Sequence, residues 1–197
     1  KLFLSIAIIF NSGLFAQMIK PSDGSSLNYT HILFEWNQVA DAVEYEIQIS
    51  TSSSFSSILS SEVTPSLIYI ESENIGWSDT YHWRVRPVYN DGNSGAWIDT
   101  FSFSTISSIT SADITVHDSD GYQDGITFLG SLDGNFSAAF DKEGSEIWNS
   151  DSDNLIMYNT NLKGELYGCH YEPQLEHSYP AMEFNLDINY IWEEPND

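Results

Sequence analysis

The chain has 197 residues, 29 acidic side chains against 6 basic ones, a formal net charge of −23 and a single cysteine. A field of that sign repels phosphate and argues against a nucleic-acid partner. One cysteine excludes an internal disulfide or a Cys-rich zinc site. Hydrophobic residues at 41% and aromatics at 14% are enough to build cores, so the charge does not imply disorder. Residues 1–105 hold 11 acids and 4 bases, net −7, and residues 106–197 hold 18 acids and 2 bases, net −16, which marks two different modules. An acidic, Lys-poor surface also suits salty surroundings, where salt screens self-repulsion.

Lys1 precedes the apolar run Leu2 to Phe10, and small Ala16 follows shortly after. The run is about half of the ~20 apolar residues that a membrane-spanning helix needs. A basic start, an apolar centre and a small residue at the cut site read as a secretory signal. Residues 1–16 are therefore expected to be a signal-peptide remnant without its initiating Met, cleaved after Ala16. The protein is expected to be secreted or periplasmic, with no membrane span. The competing reading is a buried N-terminal strand or helix. Cys169 is expected to act as a small buried hydrophobe.

Residues 17–105 alternate. Ile32, Phe34 and Trp36 share one face, as do Tyr45, Ile47 and Ile49, then Tyr81, Trp83 and Val85, then Phe101 and Phe103. Period-2 runs separated by Ser, Asn, Asp and Gly clusters predict half-buried antiparallel strands, and about seven of them predict a β-sandwich. The segments FEWNQVADAVEYEIQISTSSSF and YHWRVRPVYNDGNSGAWIDTFSFST resemble a bacterial fibronectin type III domain. Trp36 matches its second-strand tryptophan, Tyr45 the start of the third strand, Tyr81 its tyrosine corner, Trp83-Arg84-Val85 its sixth strand and Gly95 through Thr105 its closing strand. The resemblance implies a spacer or binding arm. His82, Arg84 and Arg86 point away from the expected core and read as a solvated face paired with local acids.

Residues 106–112 read as a polar linker. Beyond it, Phe140 through Trp148 and Phe184 through Trp192 repeat at an offset of 44 residues, pairing Phe140 with Phe184, Ile147 with Ile191 and Trp148 with Trp192. A period of that size with recurring aromatics is the signature of propeller blades, each about four strands. The first hairpin carries the turn Asp141-Lys-Glu-Gly144. Ile188 replaces Gly144 in the second, so a different turn is expected there. The overall expectation is an all-β chain: a fibronectin type III-like sandwich followed, over 113–197, by the first two blades or so of an incomplete β-propeller.

Gly125, Thr127 and Phe128, then Asp141, Gly144 and Trp148, then Gly164 and Leu166, then Glu183, Trp192 and Glu193 resemble the start of a bacterial arylsulfotransferase. Ile126, Asn185 and Ile188 depart from that pattern. The resemblance implies a six-bladed propeller that moves a sulfuryl group between phenols through a histidine nucleophile. Phenolic sulfate esters would then be the substrates, and the catalytic residues would lie outside this stretch. The alternative is a non-catalytic secreted adhesion or carbohydrate/protein-binding protein.

Three further features carry chemistry. Asp118, Asp120 and Asp124 crowd a Gly turn and read as a calcium loop without the closing bidentate Glu; the alternative is a solvated acidic turn. Asp151, Asp153 and Asn154 form a weaker version. His170 and His177, with Glu172 and Glu176, have the composition of a nucleophile or metal site, although they read more simply as surface histidines. Asn28-Tyr-Thr30 and Asn135-Phe-Ser137 match glycosylation acceptors.

Overall fold

A computed structural model describes residues 17–113, 115, 118, 121, 125–161, 163–172 and 179–195. Fifteen strands and no helix occur among them. No described helix is long and apolar enough to cross a membrane. The expected signal, residues 1–16, lies outside the described residues.

The sandwich is built from eight strands. Strands β1 (Met18–Lys20), β3 (Ile32–Trp36) and β6 (Ile68–Glu71) form one sheet in the order β1-β3-β6. The other sheet runs β2-β8-β7-β4-β5, from β2 (Ser25–Leu27), β8 (Phe101–Thr105), β7 (Thr80–Tyr89), β4 (Ala42–Ser50) and β5 (Ile58–Thr64). Every pairing is antiparallel except β2 with β8. The alternation holds. Ile32, Phe34 and Trp36 from one sheet meet Tyr45, Ile47, Ile49, Trp83, Val85 and Phe103 from the other in one core. Phe34 packs edge-on against Trp83 at 5.1 Å and against Phe103 at 5.9 Å. Such pairs add about 1 kcal/mol each beyond the area they bury. Tyr81 makes the expected corner: its hydroxyl accepts the Gly76 N–H at 2.8 Å.

The remainder forms two sheets that share a second core. Strands β9 (Thr127–Ser131), β10 (Phe136–Phe140) and β11 (Glu146–Asn149) form a three-stranded sheet in the order β11-β10-β9. Strands β12 (Leu155–Thr160), β13 (Leu166–His170), β14 (Ala181–Phe184) and β15 (Tyr190–Glu193) form an antiparallel meander in chain order. Ala139, Ile147 and Trp148 of the first sheet pack against Leu155, Met157, Leu166, Met182 and Phe184 of the second. The two copies of the sequence repeat thus fall in different sheets, one of three strands and one of four.

Turn chemistry shows the repeat most directly. In the β10–β11 hairpin, the Asp141 N–H donates to Ser145 O at 3.0 Å, Asp141 Oδ1 accepts the Ser145 N–H at 2.8 Å, and Gly144 has φ 85°. In the β14–β15 hairpin, the Asn185 N–H donates to Asn189 O at 3.2 Å, Asn185 Oδ1 accepts the Asn189 N–H at 2.9 Å, and Ile188 has φ 57°. The register agrees as well: Ala139 faces Trp148 and Glu183 faces Trp192, each beside a bulge. The expectation of a different second turn is therefore corrected. The Asx side chain and the loop length set the turn, and Ile188 enters the left-handed region despite its β-branch, at a cost of about 1–2 kcal/mol. Packing of its side chain against the second core offsets part of this. The β12–β13 hairpin uses the turn a third time, with Asn161 Oδ1 accepting the Glu165 N–H at 3.2 Å and Gly164 at φ 77°.

Close approach of backbones fixes how the sheets sit. A Cβ built on Gly130 of β9 would collide with the Met157 carbonyl oxygen and come within 3.0 Å of Ile156 Cγ2. Around Gly164, by contrast, a Cβ meets nothing. Gly130→Ala should therefore cost about 3 kcal/mol, because backbone has to move. Gly164→Ala should cost about 1 kcal/mol, from its positive φ alone. Urea unfolding followed by tryptophan fluorescence measures both.

Candidate functional site

The two units meet along Leu27–Thr30, the stretch that follows β2. Its backbone runs beside β11: the Thr30 N–H donates to Ile147 O at 2.9 Å, the Asn149 N–H donates to Asn28 O at 3.0 Å, and Tyr29 bridges Trp148. Asn28 lies at the centre of the seam. Its Nδ2 donates to Asn149 O at 2.8 Å and to Leu186 O at 2.9 Å. Asn149 is fully buried; its Nδ2 donates to Glu146 Oε1 at 2.6 Å and to Ser107 O at 3.1 Å. The Glu146 carboxylate also accepts the Ile109 N–H at 3.2 Å and the Thr110 N–H at 2.8 Å. Trp77 Nε1 reaches Glu146 O at 2.9 Å.

This network changes the reading of the linker. Residues read as a polar linker are tied to β11 through Ser107, Ile109 and Thr110, and Ile106 donates its N–H to Leu27 O at 3.0 Å. A buried polar network whose members all find partners rigidifies a junction, whereas one left half-satisfied weakens it. The Asn28 side-chain amide is also spent inside the fold, so the first acceptor motif is not available for glycosylation in the folded chain.

A cleft of about 570 Å³ opens beside the seam. Leu27, Tyr29, Phe128 and Trp148 form its apolar side, and Lys20 and Asp187 are among the polar groups on its wall. The Tyr29 hydroxyl donates to Asp187 Oδ1 at 2.8 Å, which closes the sandwich onto the β14–β15 turn. Burial first, and then the hydrogen bond to Asp187 and its charge, push the Tyr29 phenol well above its ordinary range. Trp148 donates its Nε1–H to Leu186 O at 2.7 Å, stacks on Phe184 at 6.5 Å and lies 5.8 Å from Phe128.

Asp118, Asp151, Asp153, His170 and Glu172 do not line this cleft. Asp118 is exposed, and its carbonyl accepts the Gly121 N–H at 3.2 Å. Asp120 and Asp124 lie outside the described residues, as do Glu176 and His177. His170 Nδ1 and Glu172 Oε1 are 3.1 Å apart, and the His170 ring lies 6.0 Å from that of Tyr190. Asp151 and Asp153 shape the turn before β12, where Asp151 takes φ 51° and its N–H donates to Asn149 Oδ1 at 2.9 Å. Among the described residues, no three His, Cys, Asp or Glu side chains come together around a point where a metal ion would fit. Cys169 is a free thiol, only half-buried, and burial pushes it up from its ordinary pKa.

The basic face of β7 is more covered than expected. Arg86 Nε donates to the Glu46 carboxylate at 2.7 Å, as the acid-pairing reading requires. Trp97 was not foreseen there. Its ring lies 4.0 Å from the Arg84 guanidinium and 4.4 Å from that of Arg86, and Phe55 covers Arg84 from another side at 4.0 Å.

The sequence matches no protein-family profile and no curated protein. Among solved structures it is similar to a fibronectin type III domain from the human KIAA0970 protein, at 20% identity over 57% of this chain and 88% of that one, with a TM-score of 0.38. It is also similar to fibronectin(III)-like modules of Clostridium thermocellum CbhA, at 11% identity over 91% of this chain and 90% of that one, with a TM-score of 0.37. An alpha-L-rhamnosidase from Dictyoglumus thermophilum aligns at 11% identity over 64% of this chain and 16% of that one, with a TM-score of 0.37.

Two measurements test the seam. Asn28→Ala removes the side-chain donor to the buried Asn149 carbonyl and one of the two donors to the Leu186 carbonyl, which keeps the Trp148 N–H, and should cost about 1–2 kcal/mol in urea unfolding. The raised Tyr29 phenol makes a stabilising contribution that is fully present below the unfolded value of about 10 and is lost as pH rises past it. Tyr29→Phe should therefore flatten the alkaline loss of stability relative to the parent chain, as read by melting temperature across that range.

Proposed function

We propose that the chain is a non-catalytic binding arm of an exported protein, and that the cleft at the junction takes a neutral saccharide. The cleft carries this reading. It joins an apolar side, on which the half-buried Tyr29 and Phe128 rings can meet the faces of sugar rings over the covered Trp148, to polar groups that orient hydroxyls. Its walls come from both units, and the Asn28–Asn149–Glu146 network holds those walls in register. The charge of −23 disfavours an acidic polysaccharide, which leaves neutral sugars as the ligand class.

The test is titration of the chain with cello-, xylo- and galacto-oligosaccharides while the Trp148 indole resonance is followed. A bound saccharide should shift that resonance, and Asp187→Ala should weaken binding about tenfold, the loss of roughly one hydrogen bond. If none of the sugars moves the Trp148 signal, the cleft is not a saccharide site.

One observation favours a second reading. The 44-residue repeat, with its shared turn and register, is compatible with the propeller architecture that the arylsulfotransferase resemblance implies. That reading makes phenolic sulfate esters the substrates of a longer polypeptide. Its test is sulfuryl transfer from 4-nitrophenyl sulfate to phenol by the full-length gene product, and absence of turnover in a folded preparation removes it.

A further inference from the structure

The two copies of the repeat have the same backbone and opposite exposure. Trp148 is 2% exposed and Trp192 is 52% exposed. Ile147 is 5% exposed and Ile191 is 59% exposed. The register places each tryptophan at the same point of its hairpin, opposite Ala139 in one case and Glu183 in the other. What differs is the neighbour that follows. The next copy of the hairpin covers Trp148: Phe184 stacks on the indole, and Leu186 O, from the loop of that hairpin, accepts its Nε1–H at 2.7 Å.

The direction of the faces follows from the pairing. Leu166 faces Phe184 across β13 and β14, and both lie in the core shared with the first sheet. Tyr167, Glu183 and Trp192 are paired across β13, β14 and β15 one position along, so they lie on the opposite face of the second sheet. Half-buried Cys169 and Ala181 pair on that same face. Trp148 thus faces the second sheet, and Trp192 faces away from both.

We propose that the Trp192 face of the meander is the docking surface for a further hairpin of the same repeat. That hairpin presents an aromatic ring at the position of Phe184 and a backbone carbonyl at the position of Leu186, and it covers Trp192 as β14 and its loop cover Trp148. The chemistry of the occupant is read from the first copy, where the same tryptophan in the same turn-defined hairpin is seen already covered. A second copy of the whole chain is the competing occupant.

The test supplies one further copy of the hairpin. A chain in which residues 150–193 are repeated once after Glu193 keeps the 44-residue register. Hydrogen exchange at the Trp192 indole Nε1–H is then measured by NMR in the parent and extended chains. Exchange should slow at least about 100-fold in the extended chain, as for a group that opens only with its covering element. Replacing the appended copy of Phe184 with Ala should restore fast exchange. Fast exchange in the extended chain overturns the proposal, whether the added strands fold apart or stay unstructured. Slow exchange in the parent chain that appears only with self-association overturns it in favour of a second copy. A companion measurement needs no extension. Trp192→Ser in the parent should leave the melting temperature nearly unchanged, whereas Trp148→Ser should lower it markedly. Equal losses show that Trp192 is already covered within this chain and overturn the proposal.

Discussion

The indole of Trp148 is the point on which the second unit and its junction depend. Its ring fills the space between Phe128 and Phe184, its N–H is bound to the loop of the following hairpin, and its backbone lies beside Tyr29 of the sandwich. One residue therefore joins two sheets to each other and both to the sandwich. An aromatic of this size contributes area that no smaller residue replaces, and its single polar atom has a partner, so burial carries no unsatisfied donor. Sandwich tryptophans Trp36 and Trp83 are buried as deeply, but their indole nitrogens have no hydrogen-bond partner among the described residues. Their burial rests on packing alone.

Around Trp148 the junction is polar rather than greasy. Asn28, Asn149 and Glu146 supply donors and acceptors for a strand edge and a linker that would otherwise bury bare peptide groups. This differs from the usual domain boundary, where few contacts cross an exposed connector. Its consequence is geometric. Directional hydrogen bonds between two units fix their angle, whereas an apolar patch permits sliding. A cleft walled by both units keeps its shape only under the first condition, which ties the binding proposal to the network.

The repeat reveals a second constraint. Three hairpins end in the same turn, begun by Asp141, Asn161 or Asn185 and closed by a residue at positive φ. The Asx oxygen that accepts a backbone N–H four residues on fixes the loop length, and loop length fixes register. Register decides which face a tryptophan occupies. Gly at the fourth position eases the turn without defining it, and for that reason Ile188 is tolerated.

Much of the sandwich was legible in the sequence. Period-2 alternation in Ile32–Trp36, Tyr45–Ile49 and Tyr81–Val85 is a local property, and burial follows it directly. The 44-residue repeat was legible too, because aromatic spacing survives without structure. The junction was not. Asn28 read as a glycosylation acceptor and residues 106–112 as a polar linker, and nothing in the sequence singled out Glu146. Apart from the short Asn149–Glu146 bond, their partners lie 36 to 158 positions away along the chain, and no local pattern encodes such distances. Trp97 was read only as part of a closing strand for the same reason, since its partners Arg84 and Arg86 reach it only across the folded sheet. Sequence alone therefore determined the all-β character, the strand faces and the repeat. Tertiary structure decided which buried polar groups pair, which tryptophan is covered and where the two units form a cleft, because each depends on contacts that exist only once distant segments are brought together.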